Sequence, residues 1–185
     1  MIRTKDGAKQ VEDLCEGDLV ETMDNGAQEI RWIGSRALCA ATLRQSPHLY
    51  PIHIRKGALG NVRDLVVSPQ HRILVRGTRT ELMFGAPEVF VKAKDLVDGV
   101  NIVQATSGSV EYFHILFDDH QVIFAEGAPA ESLHPGQQAL KGMTNAMRAE
   151  VIELFPELTE TADSRPLARM PLSSREAKAL YRHSA

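Results

Sequence analysis

The chain has 185 residues, 43% of them hydrophobic, with 21 basic against 24 acidic side chains and a net charge of −3. A chain of this size buries about 70% of its unfolded surface, so it builds a core without metal or disulfide staples and is not extensively disordered. The charge balance argues against a nucleic-acid partner, and the absence of an apolar run near the roughly 20 residues of a membrane span argues against a membrane one.

The opening, Met1-Ile2-Arg3-Thr4-Lys5-Asp6-Gly7, has no apolar signal-peptide region. Cys15 and Cys39 are too few for a disulfide scaffold or a four-cysteine zinc site, though one bridge between them is possible. Leu19–Met23 and Glu29–Ile33 flank Asp24-Asn25-Gly26. Asn-Gly between two strand-like runs predicts a hairpin, because both central turn residues need positive φ. Residues 34–62, punctuated by Pro47, Pro51, Gly57 and Gly60, read as a long connection with a short strand at Ile52–Arg55.

Further along, Leu65–Val67 and Arg72–Val75 are apolar runs joined by the turn Ser68-Pro69-Gln70-His71. Val89–Val91, Val100–Val103, Glu111–Phe117 and Gln121–Ala125 complete a mainly β series. The pattern changes at Pro135-Gly136. Leu140, Met143, Met147, Val151 and Leu154 recur at intervals of three and four, which predicts an amphipathic helix ended by Pro156. Residues 157–172 read as a linker. Ser173-Ser174-Arg175-Glu176 is a capping box opening a short helix to about Arg182.

An internal repeat appears at an offset of 82. Asp13-Leu14 falls on Asp95-Leu96, Glu16-Gly17 on Asp98-Gly99, Val20 on Ile102, Gly26 on Gly108, Glu29 on Glu111 and Ile33 on Ile115. Each half holds a strand, a polar turn with a histidine (His71 or His120) and a further strand. This predicts a pseudo-twofold all-β module; two copies are too few for a solenoid.

Several spaced motifs now coincide: Val11-Glu12-Asp13-Leu14, Gly17-Asp18, Ile30–Gly34, Gly57-Ala58-Leu59-Gly60, Asp64–His71 and Glu126–Ser132. Together they resemble a bacterial Hint domain, the Hedgehog/intein self-processing module, over roughly residues 1–135. The resemblance implies a flattened, horseshoe-like β fold, with residues 136–185 as a helical tail outside it. It also implies an N-to-S or N-to-O acyl shift that cleaves a covalently linked upstream polypeptide. Such a module is self-cleaving rather than a multiple-turnover enzyme.

Within that resemblance, Ser68-Pro69-Gln70-His71 stands where the family has a Thr-x-x-His turn that holds the scissile amide. His71 would then transfer a proton to the leaving nitrogen; an unperturbed imidazole titrates near pH 6.5. His120, in the corresponding turn of the second half, would assist, and Asp118 or Asp119 would orient an imidazole. His114 falls where inteins often carry an acidic residue. His48 and His53 receive no role. The scattered histidines do not make a metal set, and no cofactor is implied.

Two departures qualify the match. The family's opening, Cys-Phe-x-x-Gly-Thr ahead of Ile-x-Thr, places its nucleophile upstream of Met1, so this chain lacks it and is expected to be inactive alone. Neither Cys15 nor Cys39 substitutes, because the shift acts on the bond adjacent to the nucleophile. Glu131-Ser132 replaces the His-Asn of inteins, which excludes cyclisation and full splicing. The alternative is a non-catalytic Hint-fold binding or structural module of a larger protein, cytoplasmic or exported. An intermolecular hydrolase using Ser68 with His71 is disfavoured, since no nucleophile-elbow motif is present.

Overall fold

A computed structural model describes residues 1–135, 140, 143–154 and 166–181. It is mainly β. A nine-stranded sheet runs β14 (Met170–Pro171), β9 (Glu88–Lys92), β8 (Arg72–Arg76), β13 (Ala128–Glu131), β12 (Val122–Ala125), β1 (Ile2–Thr4), β3 (Leu19–Thr22), β4 (Gly26–Glu29), with β2 (Gly7–Lys9) paired to β1. A three-stranded sheet joins β10 (Ile102–Gln104), β6 (Ile52–Ile54) and β7 (Leu65–Val67), and a long ribbon pairs β5 (Trp32–Leu38) with β11 (Val110–Leu116).

The ribbon carries the symmetry. Its antiparallel register sets Ile33 opposite Ile115, the two positions matched by the sequence repeat. Around it the halves correspond. A 3-10 turn at Val11–Asp13 leads into β3, and another at Ala93–Leu96 leads into β10. Leu14 and Leu96, and Val20 and Ile102, are buried equivalents. Gly26 and Gly108 both stand at positive φ, 64° and 97°, a conformation that admits a side chain only with strain. Both matched glycines thus meet a positive-φ requirement, Gly26 in the hairpin of β3 and β4 and Gly108 in the connection from β10 to β11.

Alternation along the strands builds the main core. In β6 and β7 the outer residues are buried and the central ones exposed, so Ile52, Ile54, Leu65 and Val67 face inward with Ile73, Val89, Val91, Ile102 and Ile123. Burying a side chain of this size stabilises by about 1.5–3 kcal/mol relative to leaving it in water.

A hairpin forms at Asp24-Asn25-Gly26 between β3 and β4, but not by the expected turn. Gly26 stands at positive φ and Asn25 does not, Gly26 already pairs with Thr22, and the return strand is Gly26–Glu29 rather than Glu29–Ile33. Residues 34–62 are more ordered than their composition suggests, with the rest of β5, then α1 (Ala40–Gln45) and β6. After Ile33 the run Gly34-Ser35-Arg36 has weak strand propensity, and its cross-strand partners His114, Phe113 and Tyr112 on β11 hold it extended. Strands β1, β2 and β13 and the helix α2 (Thr78–Phe84) lie where the reading placed no element.

Helix α3 (Asn145–Leu154) starts later than the apolar stripe does, with Thr144 Oγ1 accepting the Met147 N–H at 3.2 Å. Leu140, Met143, Met147 and Val151 pack on Trp32 and Leu116, and Trp32 donates its indole N–H to Glu150 at 3.0 Å. Pro156, and residues 157–165 of the expected linker, lie outside the described residues. Residues 166–172 are not a linker: Met170 and Pro171 pair in parallel with β9, and Leu172 is buried. The capping box forms as read. Ser173 N–H donates to Glu176 at 2.8 Å and Ser173 Oγ accepts the Glu176 N–H at 3.3 Å, opening α4 (Ser174–Tyr181). Its Ala177 and Leu180 join the main core.

Candidate functional site

The turn between β7 and β8 positions His71. Pro69 and the short loop close it through His71 N–H to Ser68 C=O at 3.1 Å. It is then fastened to the next 3-10 turn, with Ala93 N–H donating to His71 C=O at 2.8 Å and Lys94 N–H to Pro69 C=O at 3.1 Å. Two carbonyls of a four-residue turn are thus held by a separate element, which fixes the backbone from which His71 projects.

His71 opens onto a cavity of about 1000 Å³. Met1 and Ile2, Ser68, Gln70 and Arg72, Tyr112 and His114, and Glu131 to His134 all contribute to its wall, with Leu167 from the far end of the chain. The start of β1, the turn of residues 68–71 and the ribbon strand β11 therefore converge on one space. Glu126 receives the Met1 amino group and also accepts from Arg63 Nε at 2.9 Å, while its own N–H donates to Met1 C=O at 2.8 Å.

Two of the three histidines on the cavity wall, His71 and His114, are shifted by their surroundings. Burial depresses His71 to a pKa of about 4, with the neighbouring Arg72 charge adding to the effect. His114 is also lowered to about 4, first by burial, then by His71 and Arg36. Both imidazoles are neutral at pH 7. The unperturbed value near pH 6.5 does not describe His71, whose apolar enclosure disfavours the cation.

His120 does not reach the cavity wall. Its side chain is 1% exposed and sits in a layer behind it. The ring packs on Phe90 with centroids 5.5 Å apart and edge-on to His134 at 5.2 Å. Its Nδ1 accepts the Ala168 N–H at 3.1 Å, so the ring proton is on Nε2, which donates to Ser132 C=O at 3.2 Å. Burial lowers its pKa to about 3.

Asp118 is placed elsewhere. Its carboxylate is exposed and meets Arg31 Nε at 3.3 Å, and it is not among the cavity-lining residues. The carboxylate beside His120 is Glu131, at 3.7 Å. Glu131 accepts from the Arg72 backbone N–H and from Arg72 Nη1, each at 2.8 Å. Burial pushes its carboxyl above the ordinary range despite that guanidinium. Arg72 Nε is buried without a hydrogen-bond acceptor among the described residues. The structure thus brings His71 and Ser68 together, sets His120 behind them and leaves Asp118 outside. Arg72 and His134 carried no chemical signal in the sequence, and Glu131 stood out only as a departure from the family's His-Asn; strand pairing is what brings Arg72 on β8 beside Glu131 on β13. His114 was visible as a histidine at a position where the family favours an acid.

Among the described residues no group of three or more His, Cys, Asp or Glu is arranged to hold a metal ion, and no helix is long and apolar enough to cross a membrane. Cys15 and Cys39 are both exposed and free.

A duplicated β module folded about a twofold ribbon, with a turn histidine facing the start of its first strand, defines the class of Hedgehog/intein-type self-processing modules. The Hint domain family model matches residues 1–137, and the chain belongs to that family. Among solved structures it is similar to the MchDnaB-1 intein in two crystal structures, each at 10% identity. Their TM-scores are 0.45 and 0.44, covering 71% and 70% of this chain and 95% and 93% of theirs. It is also similar to the AceL NrdHF class 3 split intein, as a GSH-linked, splice-inactive variant, at 16% identity and TM-score 0.44, over 70% of this chain and 91% of that one. No curated protein matches in sequence.

Proposed function

We propose that the cavity is the self-processing site of this Hint module, where it activates the peptide bond to a covalently linked upstream polypeptide. A thiol or hydroxyl on a residue ahead of Ile2 attacks the adjacent carbonyl carbon. Its proton passes to a neutral imidazole, the carbon–nitrogen bond breaks, and the imidazolium returns the proton to the departing nitrogen. The products are a thioester or ester and a free amine. The observation that carries this reading is that Met1, Ile2 and His71 line one cavity.

The depressed pKa of His71 decides the order of events. A histidine that is neutral at rest is a base first and an acid second, and with a pKa of about 4 its cation releases the proton readily. Ser68 lines the same wall and would orient the scissile amide through its hydroxyl. Neither Met1 nor Ile2 carries a thiol or hydroxyl, so the nucleophile has to come from a residue ahead of them. On this reading the residues of the present chain supply positioning and proton transfer only, and the chain is inactive without that residue.

The test is a reporter fused ahead of Ile2 through a Cys-Phe-x-x-Gly-Thr opening. Incubation with dithiothreitol should release the reporter at the Cys. His71→Ala should abolish release, whereas Asp118→Asn should leave it unchanged. A fusion that stays intact under thiol would overturn the reading in favour of a non-catalytic binding or structural module.

A further inference from the structure

The family match ends at residue 137, yet a segment well beyond it lies on the site. Leu167 is part of the cavity wall. Ala168 supplies the N–H that occupies His120 Nδ1. Arg169 donates from Nε to Glu88 at 2.7 Å, and from Nη1 and Nη2 to the two carboxylate oxygens of Asp24 at 3.0 and 2.8 Å. Met170 and Pro171 add to the edge of β9, and Leu172 N–H donates to Phe90 C=O at 2.8 Å.

The attachments are uneven. Leu172, Ala177 and Leu180 belong to the main core and form a firm anchor. Ahead of that anchor the segment is held by a two-residue strand, one bond to His120, the Arg169 carboxylates and the packing of the small Ala168 side chain on Leu74, Phe90 and Val122; Met170 and Pro171 themselves are exposed. A two-residue strand is marginal, so the bidentate Arg169–Asp24 pair with Glu88 is the chief polar restraint on this segment. Segments with few buried apolar contacts open locally at much lower cost than the whole fold.

We propose that residues 166–171 are a strap that opens from the Leu172 anchor and controls both the cavity and His120. With the strap seated, Leu167 closes part of the wall. His120 is fixed in one tautomer, since a ring nitrogen already accepting an amide N–H has no lone pair left for a proton. With the strap released, that wall is open and Nδ1 is free to take a proton, with Glu131 at 3.7 Å to balance the charge. The strap would thus regulate entry to the cavity whatever the cavity binds.

The experiment uses the full chain with Arg169→Ala. Amide hydrogen exchange reports the strap, and diethyl pyrocarbonate labelling, read by mass spectrometry, reports His71, His114 and His120. The expected result is exchange at residues 168–170 faster by about tenfold and labelling of all three histidines faster by a similar factor, with exchange in the β5–β11 ribbon unchanged. Faster strap exchange with unchanged histidine labelling would overturn the proposal, as would no change in strap exchange. If far-UV circular dichroism shows that Arg169→Ala does not fold, Glu88→Gln removes one of the three contacts and should give a smaller increase in both readouts; unchanged labelling there overturns the proposal equally. Neither readout involves cleavage, so failure here leaves the processing reading intact.

Discussion

Ile33 and Ile115 face each other across the antiparallel ribbon of β5 and β11. They are also the same position in the two copies of the repeat, and in an antiparallel pair only residues on a twofold axis can pair with their own equivalents. The axis of the module therefore passes between these two side chains, one pair in from the Trp32–Leu116 end of a seven-pair ladder. Strand β11 carries His114 to the cavity, and β5 carries Trp32, near the same end of the ladder, to the helix α3.

Gly34 is the tightest point of this ribbon. A Cβ there would stand 2.4 Å from the Trp32 ring and 3.2 Å from Met147 Cε. The ring has little room to yield, since it is buried and tied to Glu150. Gly34→Ala should cost about 2 kcal/mol and lower the thermal midpoint, with the largest increase in amide exchange in α3. An unchanged midpoint would show that the ring moves freely.

Three histidines make the fold acid-sensitive. His71, His114 and His120 have folded pKa values of about 4, 4 and 3, all below the unperturbed 6.5. Their contribution to stability is complete above pH 6.5 and is lost as pH falls toward 4, where the unfolded chain binds protons that the folded one refuses. Each histidine contributes a slope of at most about 1.4 kcal/mol per pH unit. Glu131, with its raised pKa, acts in the opposite sense near the bottom of that range. Urea midpoints should drop steadily from pH 7 to 4.5, and His114→Asn should make the drop shallower. A flat profile would contradict the buried, neutral assignment.

The Arg72–Glu131 pair holds β8 against β13, with two 2.8 Å bonds into one buried carboxylate. Glu131→Leu strands the guanidinium and the Arg72 backbone N–H, and should destabilise by about 3 kcal/mol. Combining it with Arg72→Met should recover part of that loss, because no charge is then left without a partner. A double variant no more stable than Glu131→Leu alone, in chemical denaturation, would argue against this account.

Ser173 tests how firmly the C-terminal helix is held. Its hydroxyl accepts the Glu176 N–H and its backbone N–H donates to the Glu176 carboxylate. Ser173→Ala should cost about 1 kcal/mol, seen as faster exchange in α4 with little change elsewhere. An effect spread evenly over the molecule would mean that α4 does not open by itself.

Local chemistry made much of this architecture legible. Asn25-Gly26 marked a hairpin because the turn needs the positive φ that Gly26 supplies, and Ser173–Glu176 marked a helix start because the cap is complete within four residues. The offset of 82 marked the twofold because it repeats turn glycines and buried apolar positions together. Residues 34–38, 128–131 and 166–172 were not legible as they fold. Their extended conformation is imposed by partners on β11, β12 and β9, not by their own composition.

What the sequence determined by itself was the duplicated β module, its turns and the position of His71 at the head of a strand, since each depends on neighbours a few residues away or on a pattern repeated along the chain. Only the tertiary structure decided the protonation of that histidine, the placement of Asp118 outside the site, the choice of Glu131 as the carboxylate beside His120, and the reach of the C-terminal segment to the cavity. Burial and pairing between distant strands set a side chain's dielectric surroundings and its partners, and a linear order of residues contains neither.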